Sequence, residues 1–206
     1  MIDRSEIGGV ILAGGKASRM DFRDKALQPL FAKPLLEHVI GIASPQVEKL
    51  ALSVNHNIDR YQRFALPIVS DDDSSYAGPL LGILSALKWY RSAREGRGIN
   101  YLACFPADVP EFPSDVVCQL AAGIEEHAAS VAYITHREQI QPLFSLWKLE
   151  LLEAVEKAVA DGLYGPKLLF DSLASAAVDC STENPAAFYN VNRLEDLEQA
   201  SQLLGK

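Results

Sequence analysis

Residues 7–25, IGGVILAGGKASRMDFRDK, join a short apolar run to a loop of glycines and charged residues. The run from Ile7 to Leu12 is typical of a strand that is buried on both faces of a sheet. Gly14-Gly15 follows at once, and a glycine pair lets backbone N–H groups approach a ligand without an intervening side chain. The spacing matches neither the G-x-x-x-x-G-K-[ST] phosphate loop nor the G-x-G-x-x-G fingerprint. The stretch therefore predicts a strand and a ligand-contacting loop outside those two classes.

The loop after this first strand is basic, although the chain as a whole is acidic. Nineteen Lys and Arg residues against 27 Asp and Glu residues give a formal net charge of −8. The cations of the loop are Lys16, Arg19, Arg23 and Lys25. This local excess favours a small anionic ligand, and a solvated basic loop is the alternative. The overall negative charge disfavours a nucleic-acid partner, because a phosphate backbone would repel the chain at long range.

Outward from this stretch, short apolar runs alternate with amphipathic stretches. Further strands are predicted at 50–54, 67–69, 101–105, 130–134, 142–147 and 176–180, with a polar connection over 135–141. Helices are predicted at 35–43, 80–87, 116–124, 149–159 and 194–204, the first beginning at Pro34. Strands that alternate with helices at this spacing predict βαβ units. We expect an α/β fold in a single domain, 1–206, with one open, mainly parallel but mixed sheet and helices on both faces.

Composition excludes several classes of protein. No run approaches the ~18 consecutive apolar residues of a membrane helix. The N-terminal residues, MIDRSE, carry acids where a signal peptide has a basic region, so we expect a cytoplasmic location and no membrane partner. The cysteines form no C-x-x-C pair, and each is predicted to be a buried thiol. They are Cys104, Cys118 and Cys180. The absence of a G-x-S-x-G motif disfavours a serine hydrolase of that type.

The loops that follow the predicted strands are the candidate functional segments, because open α/β sheets bind ligands outside the carboxyl ends of their strands. Asp108 lies between Pro106 and Pro110, just past an apolar strand. One rigidly placed carboxylate can hold Mg²⁺ against phosphate oxygens. A turn aspartate or an acidic residue at a helix N-terminus is the alternative.

Two further loops carry polar residues suited to a nucleoside. Asp71 opens a run of three acids, and an ionised carboxylate is an acceptor-only group that matches the donor edge of guanine. A solvated turn is the alternative for this run. Asn55 offers both a donor and an acceptor to a base or a ribose, whereas a helix N-cap or an Asx-turn suits Asn57 better.

The motifs together resemble the molybdenum cofactor guanylyltransferases, the MobA family of nucleotidyltransferases. The segment Leu12-Ala13-Gly14-Gly15 … Arg19-Met20 … Asp24-Lys25 resembles the family signature L-A-G-G-x-x-x-R-M-G-x-x-D-K, with Asp21 in place of its last glycine. Further matches in the same order are Lys33-Pro34-Leu35, Val54-Asn55-His56-Asn57, Asp71, Gly78-Pro79-Leu80-x-Gly82, Pro106-x-Asp108-x-Pro110, Pro142-Leu143 and Phe188-Tyr189-Asn190-Val191-Asn192. They extend over nearly the whole chain and imply a Rossmann-like nucleotidyltransferase fold.

The resemblance implies a Mg²⁺-dependent transfer of GMP from GTP to molybdopterin bearing molybdenum, with release of pyrophosphate. It implies that the N-terminal half binds GTP and the C-terminal half the acceptor. Nucleotide contacts would come from Leu12, Ala13, Gly14, Gly15, Asn55 and Asp71. The catalytic residues would be Arg19, Lys25 and Asp108, of which Arg19 and Lys25 bind the phosphates of the nucleotide and Asp108 binds the nucleotide through the metal. Acceptor contacts would come from Asn190 and Asn192. Molybdoenzymes and other cofactor-biosynthesis proteins are the protein partners it suggests.

Two alternatives stay open at this point. A sister nucleotidyltransferase uses CTP or UTP, and acts on the same pterin or on a sugar phosphate. The cytidylyltransferase that resembles this family tends to carry Ala at the position of Gly14, so Gly14 favours GTP. The other alternative is a non-catalytic protein that binds or delivers molybdopterin. The presence of Lys25 and Asp108 argues against it.

Overall fold

The computed structural model describes residues 1–14, 24–70, 78–92 and 97–205. Its strands are β1 (Ile7–Leu12), β2 (Pro29–Leu30), β3 (Lys33–Pro34), β4 (Lys49–Ser53), β5 (Ile68–Val69), β6 (Tyr101–Pro106), β7 (Val131–His136), β8 (Gln139–Lys148) and β9 (Ser175–Asp179). Its α-helices are α1 (Leu35–Ala43), α2 (Pro79–Arg91), α3 (Val116–Glu126), α4 (Leu152–Ala160), α5 (Lys167–Phe170) and α6 (Leu194–Leu204). Each of the predicted strands and helices is present, with bounds that differ by a few residues.

Seven of the described strands form one sheet in the order β5-β4-β1-β6-β8-β7-β9. β1 pairs in parallel with both β4 and β6, whereas β8 runs antiparallel to β6 and β7. The predicted mixed, mainly parallel sheet is confirmed. The buried run that begins the motif therefore forms a central strand, whose continuous apolar sequence suits burial on both faces.

Helices cover both faces of the sheet, as predicted. Side chains alternate along β6, so that Ala103 and Phe105 belong to the core beneath α1 and α3. Leu102 and Cys104 belong to the other core, beneath α2 and α4. A third, smaller cluster joins the β2–β3 hairpin and α1 to the C-terminal helix.

The N-terminal end of α2 packs closely against the carboxyl ends of two strands. A Cβ atom on Gly82 would lie 2.6 Å from Ser53 Oγ and 2.9 Å from Leu12 Cδ2, so only glycine allows this approach. Gly78 precedes the helix with a φ of 137°, and the Tyr164 carbonyl accepts a hydrogen bond from the Leu80 N–H at 3.0 Å. The G-P-L-x-G segment thus fixes the start of α2 at the carboxyl edge of the sheet.

Several local predictions were wrong. The polar connection expected over 135–141 is largely strand, because β7 and β8 continue to a tight turn at Arg137 and Glu138, with φ values of 49° and 63°. Cys118, expected to be buried, is exposed on α3, whereas Cys104 and Cys180 are buried. The β2–β3 hairpin and α5 were not predicted, since two-residue strands and a four-residue helix leave no periodic pattern. Within the described ranges, no helix has the length and apolar character needed to cross a membrane.

Candidate functional site

The candidate site lies at the carboxyl edge of the sheet, where the chain leaves β1 between its two parallel neighbours. β4 and β6 flank β1, and the connections to them pass over opposite faces of the sheet, through α1 and α2. The Ala13 N–H donates to the Ser53 carbonyl at 3.0 Å, and the Ala107 N–H donates to the Leu12 carbonyl at 3.3 Å. Where the connections pass to opposite faces of the sheet, a crevice opens at the carboxyl ends of the strands. This crevice is the usual ligand site of an open α/β sheet.

Lys25 is the centre of this site. Its ammonium group donates hydrogen bonds to Asp108 Oδ2, to Asn192 Oδ1 at 2.7 Å and to Asn190 Oδ1 at 3.3 Å. A lysine ammonium has three N–H donors, so these three oxygens use all of them. The Lys25 and Asp108 side chains are each 22% exposed, which leaves the ion pair accessible from the crevice. The structure thus brings together four residues that the sequence analysis assigned to catalysis, metal binding and the acceptor.

The two asparagines reach Lys25 because the residue between them is anchored in the core. Val191 is fully buried in the cluster that contains Leu30 and Leu35, and its N–H donates to the Asp108 carbonyl at 2.9 Å. In an extended segment neighbouring side chains point to opposite sides, so burial of Val191 turns Asn190 and Asn192 outward together.

The start of α6 holds this segment from the other end. Asp196 Oδ2 accepts hydrogen bonds from the Asn192 N–H at 2.6 Å and the Arg193 N–H at 2.8 Å. A carboxylate in the first turn of a helix is favourable because it meets the unpaired N–H groups there. The acidic helix that follows N-V-N therefore fixes the backbone of the second asparagine.

Asp24, the neighbour of Lys25, makes a second network that the sequence analysis missed. Its carboxylate accepts a hydrogen bond from Arg60 Nη1 at 2.8 Å and one from Asn57 Nδ2 at 3.1 Å. Asn57 occupies the predicted N-cap position, before the 3₁₀ turn Ile58–Arg60, with a φ of 53°. Its side chain does not cap the turn and bonds to Asp24 instead. The only signal in the sequence was the position of Asp24 next to Lys25 in the D-K motif.

Three other nucleotide candidates lie together at the end of β1. Leu12 is the last residue of that strand, and Ala13 bonds to β4 as described above. A Cβ atom on Gly14 would lie 3.4 Å from Asn55 Nδ2, so the first glycine of the loop and the asparagine after β4 are neighbours. Gly15, Arg19 and Asp71 lie outside the described residues.

Burial alters the acidity of two groups that border the networks. The Tyr61 hydroxyl has a raised pKa because the side chain is buried, with the charge of Asp24 as a second cause. Glu111, three residues after Asp108, has a pKa raised by burial, which a hydrogen bond from Asn184 partly opposes. A carboxylate beside this loop is thus partly withdrawn from water, and the Asn184 amide and the nearby His38 favour its ionised form.

The oxygen atoms around Lys25 suit a hard cation. Among the described residues, no three His, Cys, Asp or Glu side chains form a metal cluster. The oxygens of Asp108, Asn190 and Asn192 nevertheless converge on one positive group, the Lys25 ammonium. Mg²⁺ prefers oxygen ligands and commonly uses only one or two protein carboxylates, with phosphate oxygens and waters completing its shell. The donor set therefore fits a magnesium ion bound together with a phosphate ligand.

The fold, with the crevice around Lys25 at the carboxyl edge of its sheet, is that of an NTP transferase domain. The chain belongs to the family of MobA-like NTP transferase domains, whose family model matches residues 9–177. A molybdenum cofactor guanylyltransferase from Mesorhizobium japonicum is 34% identical over 212 residues, which cover 98% of this chain and 97% of that protein. Another from Pasteurella multocida is 36% identical over 189 residues, covering 92% and 96% of the two chains.

Solved structures show the same fold at much lower sequence identity. Molybdopterin-guanine dinucleotide biosynthesis protein A from Archaeoglobus fulgidus superposes with a TM-score of 0.76 at 19% identity, covering 96% of this chain and 98% of that one. A 4-diphosphocytidyl-2C-methyl-D-erythritol synthase from Anaerococcus prevotii superposes with a TM-score of 0.74 at 12% identity, covering 97% and 96%. The fold is thus shared by enzymes named for different nucleotides, and base choice must be argued from the site.

Proposed function

We propose that this protein transfers GMP from GTP to molybdopterin bearing molybdenum, releasing pyrophosphate. The observation that carries the proposal is the convergence of Lys25, Asp108, Asn190 and Asn192 on one point of the carboxyl edge. These residues come from three distant segments of the chain. Relatives named molybdenum cofactor guanylyltransferase, which match nearly the whole chain, support the choice of substrates.

The reaction needs positioning and charge neutralisation more than proton transfer. The terminal phosphate oxygen of the acceptor attacks the α-phosphorus of GTP, an oxygen–phosphorus bond forms, and the bond to the leaving pyrophosphate breaks. The attacking oxygen is already ionised, so no strong general base is required. Fixed cations that meet the charge of the reacting phosphates therefore contribute much of the catalysis. Lys25 is proposed as one of them.

Lys25 can meet a phosphate without losing its anchor. Two of its three partners are neutral amide oxygens, and a phosphate oxygen is a stronger acceptor for an ammonium group than an amide oxygen. The bond to Asp108 holds the side chain while a phosphate replaces one asparagine. The released asparagine amide then faces the acceptor, in keeping with a division into an N-terminal nucleotide half and a C-terminal acceptor half.

The nucleotide is proposed to lie along the loop after β1. Backbone groups of Leu12, Ala13, Gly14 and Gly15 contact it, and Asn55 beside Gly14 contacts the guanosine. Asp71 is assigned to the donor edge of guanine and Arg19 to the phosphates. These two assignments rest on the sequence and the family resemblance, since both residues lie outside the described part of the chain.

Asp108 is the proposed ligand of Mg²⁺, with the amide oxygens of Asn190 and Asn192 at the same point. When bound, the ion would neutralise charge on the α-phosphoryl group and on pyrophosphate. Asp108 also keeps Lys25 in place. The carboxylate is therefore expected to serve two cations, one resident and one delivered with the nucleotide.

A pyrophosphate-release assay with molybdopterin and each of the four nucleoside triphosphates tests the proposal. We expect release with GTP, and Mg²⁺ to be required. Release with CTP as fast as with GTP would replace the proposal by the sister cytidylyltransferase. Binding of molybdopterin without release from any triphosphate would instead indicate a delivery protein.

A further inference from the structure

The segment that carries the two asparagines is paired with the loop that carries Asp108. The Val191 N–H donates to the Asp108 carbonyl at 2.9 Å, and the Phe188 N–H donates to the Glu111 carbonyl at 3.0 Å. The two stretches therefore run antiparallel, with one bond at each end. The position of Asn190 and Asn192 relative to Lys25 depends on this short pairing.

The Glu111 side chain reinforces the far end of the pairing. Asn184 Nδ2 donates to Glu111 Oε1 at 2.9 Å, and Asn184 Oδ1 accepts from the Ala186 N–H at 3.0 Å. The Asn184 amide therefore makes one hydrogen bond within the turn before Phe188 and another to the loop that carries Asp108. Glu111 contributes two acceptors to the segment, its carbonyl and its carboxylate. We call this pair of residues the Glu111–Asn184 clasp.

The chain needs a clasp here because its backbone adopts an unfavourable conformation. Phe188 has a φ of 61°, in the left-handed region that a bulky side chain rarely occupies. Its ring is held between His136 and Phe144, each with a ring centroid 5.0 Å away. A strained residue persists only where its surroundings fix it. Two residues later, the chain places Asn190 at Lys25.

We propose that the Glu111–Asn184 clasp is a positioning device for the acceptor side of the site. It holds the turn that directs Asn190 and Asn192 onto Lys25, and its hydrogen bonds join the loop after Asp108 to the turn before Phe188. The inference rests on the proposed function, in which these asparagines face the acceptor. Disturbing the clasp should therefore impair use of molybdopterin while GTP binding stays intact.

The test reverses the polarity of the clasp. Asn184→Asp keeps the acceptor for Ala186 but sets a second carboxylate against Glu111, which breaks the hydrogen bond and adds repulsion. Glu111→Gln in the same chain restores a donor facing a carboxylate. We expect Asn184→Asp to lower kcat/KM for molybdopterin about tenfold, as expected for one lost hydrogen bond, and the double variant to regain most of it. The KM for GTP should stay within about twofold.

The chain offers a matched control at the opposite edge of the sheet. Asn100 Nδ2 donates to Glu6 Oε1 at 2.8 Å, before β6 and β1 begin. Asn100→Asp also sets two carboxylates against each other, at a more exposed position far from Lys25, and its kinetics should match the wild type. Equal effects of Asn100→Asp and Asn184→Asp would overturn the inference. So would equal losses for GTP and molybdopterin, or a double variant no better than Asn184→Asp.

A second readout does not depend on activity. The side-chain amide signals of Asn190 and Asn192 in a ¹⁵N–¹H spectrum should shift in Asn184→Asp and return in the double variant. If wild-type protein releases no pyrophosphate from GTP, the proposed function fails, yet these signals still test the clasp. Unmoved signals in Asn184→Asp would overturn it.

Discussion

Asp24 and Lys25 are neighbours in sequence, but they are held by two different parts of the molecule. Asp24 meets Arg60 and Asn57, both from the loop after β4. Lys25 meets Asp108 after β6 and the asparagines before α6. The Asp24 network joins the loop after β1 to the loop after β4, both in the N-terminal half of the chain. The Lys25 network joins the N-terminal half to the C-terminal half.

The two networks also differ in what they leave available to a ligand. The Asp24 carboxylate is 16% exposed and its partner Arg60 is 58% exposed. The carboxylate is therefore largely covered, whereas the guanidinium group that holds it lies at the surface. Lys25 combines one charged partner with two neutral ones, and neutral acceptors are readily exchanged for phosphate oxygens. We therefore expect Asp24 to fix the backbone and Lys25 to act on the phosphates. Variants in both the Asp24 and the Lys25 networks test this difference in role.

Lys25→Ala should give the largest loss of activity. Removal of the cation that donates to Asp108 and the asparagines should lower kcat by about 100-fold or more, as for other groups that stabilise a developing charge. The melting temperature should fall by only a few degrees, about what an accessible ion pair contributes. Steady-state kinetics and thermal unfolding measure the two effects.

Lys33→Ala is the matched control for this variant, because Lys33 forms an exposed ion pair with Glu37 at 3.4 Å. Its turnover should remain that of the wild type. Proportional losses of activity and stability in Lys25→Ala would show that Lys25 acts as a structural residue like Asp24, and the comparison would fail.

Asp108→Asn should come next in size. The amide keeps the shape of the side chain and can still accept from Lys25, but it removes the negative charge offered to Mg²⁺. Turnover should fall by about 10- to 100-fold, and the Mg²⁺ concentration for half-maximal rate should rise. Asp161→Asn, at an exposed aspartate after α4, serves as the control. An unchanged Mg²⁺ titration would remove Asp108 from the metal site and leave it as a partner of Lys25 alone.

Gly14→Ala tests base choice at the end of β1. Wild-type protein should prefer GTP over CTP by about tenfold or more, because the wrong base leaves buried polar groups unpaired. The added methyl group would meet Asn55 Nδ2 at 3.4 Å, a contact the protein can accommodate, so its main effect should fall on the nucleotide. We expect a lower kcat/KM for GTP and a smaller ratio of GTP to CTP use.

Gly41→Ala controls for the general effect of the substitution, because a Cβ atom there meets nothing within 4 Å. It lies inside α1, where alanine is the better helix former by about 1 kcal/mol, so a slightly raised melting temperature is expected. Equal use of GTP and CTP by the wild-type protein would contradict the guanine assignment directly.

The sequence predicted the fold well because buried strands and amphipathic helices carry their own periodicity. It also predicted roles for Lys25, a cation of the loop after the first strand, and for Asp108, just past another strand, because ligands bind at that edge of the sheet. The contact between them was not derivable from spacing, because it spans 83 residues. The asparagines entered through the family motif, and only the burial of Val191 explains why both turn toward Lys25.

Other parts of the site left no readable signal. Arg60 lies in a short, irregular polar segment, and nothing in its neighbours connects it to Asp24. Glu111 and Asn184 are ordinary loop residues whose pairing depends on how two distant segments cross. The left-handed conformation of Phe188 could not be predicted either, because Gly and Asn, not Phe, are the residues usually found in that conformation. Tertiary contacts therefore decide these positions.

Arg60→Ala should have the smallest effect on turnover, and it tests the role of the Asp24 network. Loss of an ion pair with one partner 58% exposed should reduce the free energy of unfolding by only about 0.2–1 kcal/mol. Asn57 still donates to Asp24 at 3.1 Å, so the carboxylate keeps a partner and Lys25 keeps its position. We expect kcat within about threefold of the wild type, which corresponds to less than 1 kcal/mol in the barrier. Fixed-time pyrophosphate assays measure kcat, and denaturant unfolding of the same preparation measures the free energy of unfolding. A loss of turnover comparable to that of Lys25→Ala, at unchanged stability, would place Arg60 at the phosphates and make the Asp24 network a second part of the catalytic site.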